Sequence, residues 1–77
     1  MRLLSKRDVI DCFEQFSFVT QEALGHGWFY HRDELYAEVY VAFLNDSVVY
    51  DDVQRALGEL GQLGIDVSLC LERLLVE

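Results

Sequence analysis

Three short breaks interrupt a chain that contains no proline, and these breaks limit how many structural elements the chain can form. Glycine and small polar residues favour turns, because glycine accepts positive φ angles and the others hydrogen-bond to their own backbone. The breaks are Gly25-His26-Gly27, Asn45-Asp46-Ser47 and Gly64. They leave four segments, at about residues 5–24, 28–44, 47–63 and 65–76. A chain of 77 residues with four short segments is long enough for only one hydrophobic core. We therefore expect residues 1–77 to form a single globular domain.

The first segment has the pattern of a helix. Ser5 followed by Asp8 matches a capping box, and Gly25 stands where a helix often ends with a left-handed residue. Apolar residues also recur at helical spacing. They form one stripe that consists of Val9, Cys12, Phe13, Phe16, Val19 and Ala23. We therefore expect a helix over residues 5–24 whose stripe faces the core.

The third segment is predicted to be helical as well. Asp46 or Ser47 serves as the N-cap, and Asp51 and Asp52 follow near the helix start, where acidic side chains offset the helix dipole. The apolar side consists of Val49, Val53, Ala56, Leu57, Leu60 and Leu63. These features predict a helix over residues 47–63.

The second segment fits a strand and a helix almost equally well. Residues 35–44 alternate in polarity and are rich in Val, Tyr and Phe, which favour strands. A hairpin from Trp28 to Leu44 would have to turn near Arg32-Asp33-Glu34, which lacks the Asn-Gly or Asp-Gly pair of tight hairpins. Asp33 can instead cap a helix whose apolar residues follow at helical spacing. A helix over residues 33–44 is therefore the preferred interpretation.

The last segment is ambiguous in the same way. Its apolar residues alternate from Ile65 to Leu71 as in a half-buried strand, but with Asp66 as the cap they also form one face of a helix that includes Cys70. The preceding Gly64 suits the end of one helix and the entry into another. We therefore prefer a helix over residues 66–76.

The predicted fold class is all-α, a compact four-helix domain with helices at about residues 5–24, 33–44, 47–63 and 66–76. The alternative is an α+β domain in which residues 28–44 and 65–75 are strands. An apolar content of 52% supports a folded chain in either case, because disordered chains contain few apolar residues.

The charge of the chain restricts its partners. The sequence contains 14 acidic and six basic residues, which gives a formal net charge of −8. Arg2, Lys6 and Arg7 lie within the first seven residues, so the rest of the chain is even more acidic. Binding to nucleic acid or to an anionic membrane requires clustered Lys and Arg. We therefore expect neither membrane binding nor direct nucleic-acid binding, and we predict a protein partner with a basic surface.

The expected compartment is the cytoplasm. The apolar run near Met1 is too short for a signal peptide, and no apolar stretch reaches the length of about 18 residues that spans a bilayer. Two cysteines, Cys12 and Cys70, are too few for the disulfide framework of small secreted domains. Both are expected to be buried thiols.

No catalytic motif is apparent, and we predict that the chain is not an enzyme. Cys12, His26, His31 and Cys70 include zinc-binding residue types, but their spacing matches no zinc-finger pattern. Paired carboxylates such as Asp33-Glu34 stand at a predicted helix start, where capping explains them. No cofactor and no metal are therefore expected. An enzyme that uses one of the histidines with a nearby carboxylate is a further alternative.

The predicted partner-binding surface combines aromatic and acidic side chains. On a helix over residues 5–24, Phe18 would lie opposite the apolar stripe and beside carboxylates, which is the arrangement of an interaction hot spot for a basic partner. A helix over residues 33–44 would be apolar nearly all round, so a docked partner or a second copy is expected to cover it. The predicted partner-binding residues are Asp11, Glu14, Phe18, Glu22, Trp28, Tyr30, Asp33, Glu34 and Glu38.

These features predict a non-enzymatic, protein-binding function of the inhibitor, antitoxin-like or accessory kind. Such a protein would cover a basic, nucleic-acid-binding surface of its partner, with carboxylates in the place of phosphates. A phage-encoded or plasmid-encoded inhibitor of a host defence system is one setting in which this function would be used.

A DNA-binding regulator is the alternative function. The residues from Leu63 to Ser68, followed by Leu71, Leu74 and Leu75, resemble the junction between two helices in ribbon-helix-helix and helix-turn-helix proteins. The resemblance implies binding to duplex DNA. However, the polar or basic side chains that a ribbon-helix-helix protein needs near Tyr36, Glu38 and Tyr40 are missing.

Overall fold

A computed structural model describes residues 1–32 and 37–75, and within these residues the chain forms an antiparallel sheet and three helices. The strands are β1 (Leu3–Ser5), β2 (Phe18–Ala23), β3 (His26–His31), β4 (Glu38–Leu44) and β5 (Ser47–Val49). The helices are α1 (Lys6–Gln15), α2 (Tyr50–Gln62) and α3 (Ser68–Leu74). The chain is therefore an α+β domain, and the prediction of an all-α four-helix domain is wrong.

The sheet has the strand order β1-β5-β4-β3-β2, and each neighbouring pair is antiparallel. Strands β2 to β5 follow one another as a meander. Strand β1 joins the far side of β5, so helix α1 connects the two edge strands of the sheet. This connection places α1 across one face of the sheet.

Helix α1 begins as predicted but ends much earlier. The Asp8 N–H donates to Ser5 Oγ over 3.4 Å, which confirms the predicted N-cap. Ser17 then adopts a φ of +71°, a left-handed conformation that stops the helix, and the chain continues as β2. The predicted helix over residues 5–24 is therefore wrong beyond its first half. Because strand residues alternate between faces, the orientations of Phe18 and Val19 are reversed relative to the prediction.

The break at Gly25 is a hairpin turn and not the end of a helix. Ala23 pairs with His26, so Leu24 and Gly25 form a two-residue loop with φ angles of +50° and +80°. Positive φ at both positions is typical of the type I′ turn, whose twist matches that of the flanking strands. Leucine is an unusual residue in such a turn, so the sequence pattern does not indicate a hairpin at this position.

The predicted helix over residues 33–44 is also wrong, because residues 38–44 form β4. Phe29 pairs with Val39 and Gly27 with Val41, so β3 and β4 form the hairpin that the α+β alternative contained. Cross-strand pairing and burial on one face stabilise the alternating pattern as a strand. The predicted cap at Asp33 lies outside the described residues.

Helices α2 and α3 correspond to the other two predicted helices. Residues 47–49 form β5, so α2 begins at Tyr50 instead of residue 47. Asp66 accepts hydrogen bonds from the Ser68 hydroxyl and, over 3.1 Å, from the Ser68 N–H at the start of α3. Both hydrogen bonds hold the pKa of Asp66 below its usual value, and the bond from the hydroxyl contributes more than the bond from the N–H. The strand alternative for residues 65–75 is therefore wrong.

Helices α1 and α2 pack on one face of the sheet, and α3 packs against both of them. Their buried side chains and the inward-facing residues of the strands belong to a single hydrophobic cluster. The described part of the domain measures 32 × 30 × 19 Å. The shortest dimension, 19 Å, corresponds to one sheet and one layer of helices. None of the helices in the described residues lies on the opposite face of the sheet. This open face, defined as the outward-facing residues of β2, β3 and β4, is therefore available for contact with other molecules.

Candidate functional site

Three cross-strand rows of side chains make up the open face. Burial of Phe29, Val39 and Val41 identifies the helix-covered face, so the alternate residues point outward. The strand register then aligns the outward residues in three rows. These rows are Val19–Tyr30–Glu38, Gln21–Trp28–Tyr40 and Ala23–His26–Ala42. Four aromatic rings, counting the imidazole, thus lie together on a surface that no described element covers.

The aromatic rings are held by contacts with one another and with Gln21. Tyr40 lies between His26 and Trp28, with ring centroids 5.0 Å and 6.2 Å apart, respectively. The hydroxyl of Tyr40 forms a hydrogen bond with His26 Nδ1, and the hydroxyl of Tyr30 donates to Gln21 Oε1 over 3.3 Å. The hydroxyls of both tyrosines are thus engaged, while Tyr40 is still 40% exposed. The rings therefore form an ordered platform with accessible surface.

Three of the predicted partner-binding residues lie on this platform. Trp28, Tyr30 and Glu38 occupy adjacent rows, and Tyr30 is directly opposite Glu38. The sheet brings them together because β3 and β4 pair in this register. Asp33 and Glu34 lie outside the described residues. That these residues bind a partner stays a prediction.

The predicted exposure of Phe18 is wrong. Its side chain is 0% exposed and contacts the Phe13 ring, with centroids 5.3 Å apart. The acidic residues expected around it are also separated from one another. Asp11 and Glu14 lie on the exposed side of α1, whereas Glu22 lies at the end of β2 and pairs with Lys6 over 3.1 Å. The acidic rim around an aromatic anchor is therefore not formed.

His26, Tyr40 and Gln21 belong to the open face but were not among the predicted site residues. A sequence signal for Tyr40 exists, because polarity alternates from Glu38 to Leu44 as in a strand with one buried side. Once β4 is read as a strand, Tyr40 and Glu38 fall on the same face. His26 and Gln21 have no comparable signal, since their orientation follows from the turn at Leu24 and Gly25.

A second concave region lies between α1, α3 and β1. It is a groove of about 290 Å³, and Arg73 crosses it to donate to Gln15 Oε1 over 2.6 Å. Cys12 and Cys70 are buried free thiols beneath it, as predicted. Burial raises the pKa of both thiols, and the neighbouring Cys12 raises that of Cys70 further, to about 12. Both thiols are therefore in the protonated form at neutral pH, which is a poor nucleophile.

The four Cys and His residues are not brought together. His26 lies on the open face, His31 lies beside Phe18 on the covered face with ring centroids 5.4 Å apart, and the cysteines lie between α1 and α3. Within residues 1–32 and 37–75, no group of three or more His, Cys, Asp or Glu residues is arranged to hold a metal ion.

No family model matches the chain, and no curated protein or solved structure matches it. In the part of the chain that the structure describes, no helix is long and apolar enough to cross a membrane. The open face and the charge of the domain are therefore the features that bear on function.

Proposed function

We propose that the chain is a non-enzymatic protein-binding domain whose open face binds a basic protein surface. One observation carries this proposal: four aromatic rings lie on the uncovered face of a strongly acidic domain. The proposal keeps the predicted class of partner but moves the binding surface from the first helix to the sheet.

The composition of the open face is typical of an interface. The solvent-facing side of an antiparallel sheet usually carries polar residues, whereas here the central row contains Trp28 and Tyr40. Tyrosine and tryptophan are enriched at interfaces, since each buries a large apolar ring and keeps a polar tip. These rings are also held in place before binding, so their ordering would cost little side-chain entropy when a partner binds.

The charge of the domain favours a basic partner. The net charge is −8, and the basic side chains of Lys6, Arg7 and Arg55 are each paired with a carboxylate of the same domain. Those cations are engaged locally, and the 14 acidic residues of the sequence outnumber its six basic residues by eight. The resulting negative field attracts a basic surface and speeds its approach.

Arginine is the side chain that fits this face best. A guanidinium stacks on the faces of Trp and Tyr rings and pairs with carboxylates through a fork of N–H donors. Trp28 and Tyr40 offer ring faces, and Glu38 offers a carboxylate in the adjacent row. An inhibitor or accessory subunit that covers an arginine-rich surface would use both. We propose a cytoplasmic setting, where two free thiols persist in the reduced state.

The alternative of a DNA-binding regulator receives less support from the same residues. Helices α2 and α3 do follow one another across residues 63–67, as the resemblance to helix-turn-helix proteins implied. The exposed residues of α3, however, include Leu69, Leu71 and Glu72, and Arg73 is directed to Gln15. A helix that reads the major groove needs several polar or basic side chains on its exposed face.

Fluorescence of Trp28 provides a direct test, since this is the only tryptophan in the chain. The protein is titrated with an oligoarginine peptide and with an oligolysine peptide of the same length. We expect the arginine peptide to change the Trp28 emission and to bind more tightly, because lysine has the same charge but no planar group that stacks. Added salt should weaken both interactions.

Variants connect the binding to the open face. Tyr40→Ala and Glu38→Lys should each raise the dissociation constant of the arginine peptide by about tenfold, or about 1.4 kcal/mol. Leu69→Ala, an exposed substitution on α3, is the matched control and should leave the affinity unchanged. Equal affinity for the two peptides, or unchanged affinity in both open-face variants, would contradict the proposal. Tight binding of duplex DNA at low salt would favour the regulator instead.

A further inference from the structure

Strand β2 forms a free edge of the sheet. It is six residues long, whereas the opposite edge strand, β1, has only three. An edge strand presents unpaired N–H and C=O groups, and proteins usually protect such edges with proline, bulges, charges or a covering element. No proline occurs in the chain, and β2 pairs continuously with β3 without a bulge.

The backbone groups that point away from β3 can be identified from the register. The Arg32 N–H donates to the Ser17 carbonyl over 3.0 Å, so Ser17 directs its backbone groups toward the β3 side. Antiparallel strands alternate, residue by residue, between the two neighbouring directions. The N–H and C=O groups of Phe18, Thr20 and Glu22 therefore point to the free edge.

The corresponding exposed stretch of β4 is protected by the domain itself. Strand β5 pairs only with the end of β4, at Phe43 and Leu44, and leaves the earlier residues without a strand on that side. Arg55 of α2 fills this position and donates to the carbonyl of Tyr40 over 3.2 Å. For β2, a covering contact of this kind is absent from the described hydrogen bonds.

Thr20 lies at the centre of the free edge, and its side-chain hydroxyl lacks a partner in the described structure in addition to its backbone groups. Its Oγ1 is buried and has no hydrogen-bond partner in the described structure. A buried hydroxyl without a partner costs about 1–3 kcal/mol. Thr20 pairs with Phe29, which is buried on the covered face, so its side chain lies on the helix side of the sheet.

We propose that two copies of the chain pair antiparallel through β2 and form one continuous sheet. A two-fold axis perpendicular to the sheet at Thr20 places each Thr20 opposite that of the second copy. The two residues then exchange backbone hydrogen bonds, and Phe18 pairs with Glu22 of the second copy. The two Thr20 side chains then lie on the same side of the combined sheet, the side that carries the helices.

Helix α1 is aligned so that it continues this interface above the sheet. It runs antiparallel to β2, because Lys6 contacts Glu22 at one end and Phe13 contacts Phe18 at the other. Ile10 lies four residues beyond Lys6, or about 6 Å along the helix. Thr20 lies two residues before Glu22, or about 6.6 Å along the strand. The partly buried Ile10 is therefore level with Thr20, and the same axis brings two Ile10 side chains together.

The charges on α1 are complementary under this symmetry. Arg7 lies about one turn before Ile10 and Glu14 about one turn after it, both on exposed positions of the helix. In an antiparallel pair of α1 helices, Arg7, which contacts Asp11 of its own helix over 3.4 Å, therefore also faces Glu14 of the other copy. Such self-complementarity is what a two-fold interface requires, and it identifies a second copy of this chain as the occupant of the edge.

Pairing would leave the proposed function intact and enlarge its surface. The outward residues Val19, Gln21 and Ala23 of the two copies would meet at the centre of a doubled open face. Neither proposal depends on the other, because Thr20 and Ile10 lie on the helix side of the sheet and the aromatic rings lie on the opposite side.

Sedimentation velocity at micromolar concentrations tests the dimer directly. We expect the wild-type chain to sediment as a dimer and Thr20→Pro as a monomer. Proline removes an N–H that points to the free edge and leaves the β2–β3 hydrogen bonds in place. Thr20→Ser keeps both the N–H and the hydroxyl, so it is the matched control and should remain dimeric.

Charge reversal provides a test that does not depend on the tolerance of β2 for proline. Arg7→Glu and Glu14→Lys should each raise the dimer dissociation constant by about tenfold, and the double variant should restore it. Circular dichroism confirms that each variant is folded. A wild-type monomer at these concentrations, a folded Thr20→Pro dimer, or a double variant as weak as the single ones would overturn the proposal.

Discussion

The two faces of the same sheet differ in how their aromatic rings are used. On the covered face, Phe13 and Phe29 pack edge to face with centroids 4.1 Å apart, and both are fully buried. On the open face, Trp28 and Tyr40 lie 6.2 Å apart, and Tyr40 remains accessible to solvent. Successive residues of β3 thus serve different purposes. We therefore expect substitutions on the covered face to affect the stability of the domain more than substitutions on the open face.

The largest expected difference is between two neighbouring residues, Phe29 and Trp28. Phe29→Ala should lower the free energy of unfolding by about 3–5 kcal/mol, because it leaves a cavity between the sheet and α1. Trp28→Ala removes a larger ring but only cross-strand contacts, which are worth about 0.2–1 kcal/mol each. Urea denaturation followed by circular dichroism measures both. Phe29→Leu, with a smaller loss, covers the case in which Phe29→Ala does not fold.

Similar losses at the two positions would contradict the comparison. They would mean that Trp28 is part of a core, and the open face would then not be free to bind a partner. A loss at Phe29 alone would sharpen the comparison, because the two residues are adjacent in the same strand and differ in the face on which they lie.

A smaller difference is expected when the same side chain is added on each face. At Gly27, a Cβ atom would overlap the ring of Phe43, which packs directly across this glycine. Gly27→Val should therefore destabilise the domain by about 1–3 kcal/mol through overpacking. Ala42→Val, on the open face, adds a strand-favouring residue and should change stability by less than about 0.5 kcal/mol.

Thermal or urea unfolding of the two valine variants checks this prediction. In the Gly27→Val background, Phe43→Leu should recover part of the loss, because a smaller side chain leaves room for the added methyl groups. If Ala42→Val were the more harmful substitution, the assignment of the two faces would be reversed.

Local signals made three helices predictable from the sequence. The Ser5 cap, the apolar side of α2 and the hydrogen bonds from Ser68 to Asp66 before α3 each depend on residues within one or two turns. The burial of Cys12 and Cys70 was predictable for the same reason, since each falls on a helical stripe. The sheet was not, because its strands are stabilised by partners distant in sequence, and β4 reads equally well as a helix without them.

The site was predictable only where its residues stand out by type. The aromatic or acidic character of Trp28, Tyr30 and Glu38 marks them in the sequence, and the register of β3 and β4 brings them onto one face. Phe18 was misplaced because helical spacing was extended past Ser17, where the chain changes from a period of 3.6 to a period of 2. One residue with a left-handed backbone thus reverses which aromatic side chains are exposed.

The turn at Leu24 is the second position of this kind, and it leads to the smallest predicted effect. Leu24 is 98% exposed and has a φ of +50°, a conformation that costs most residues about 1–2 kcal/mol. Leu24→Asn would create the Asn-Gly pair that type I′ turns prefer, and it should raise the free energy of unfolding by about 0.5–1 kcal/mol. Leu24→Ala removes the same exposed side chain without easing the backbone, so it should give no gain. If urea denaturation shows the two variants to be equally stable, the turn does not hold Leu24 in this conformation.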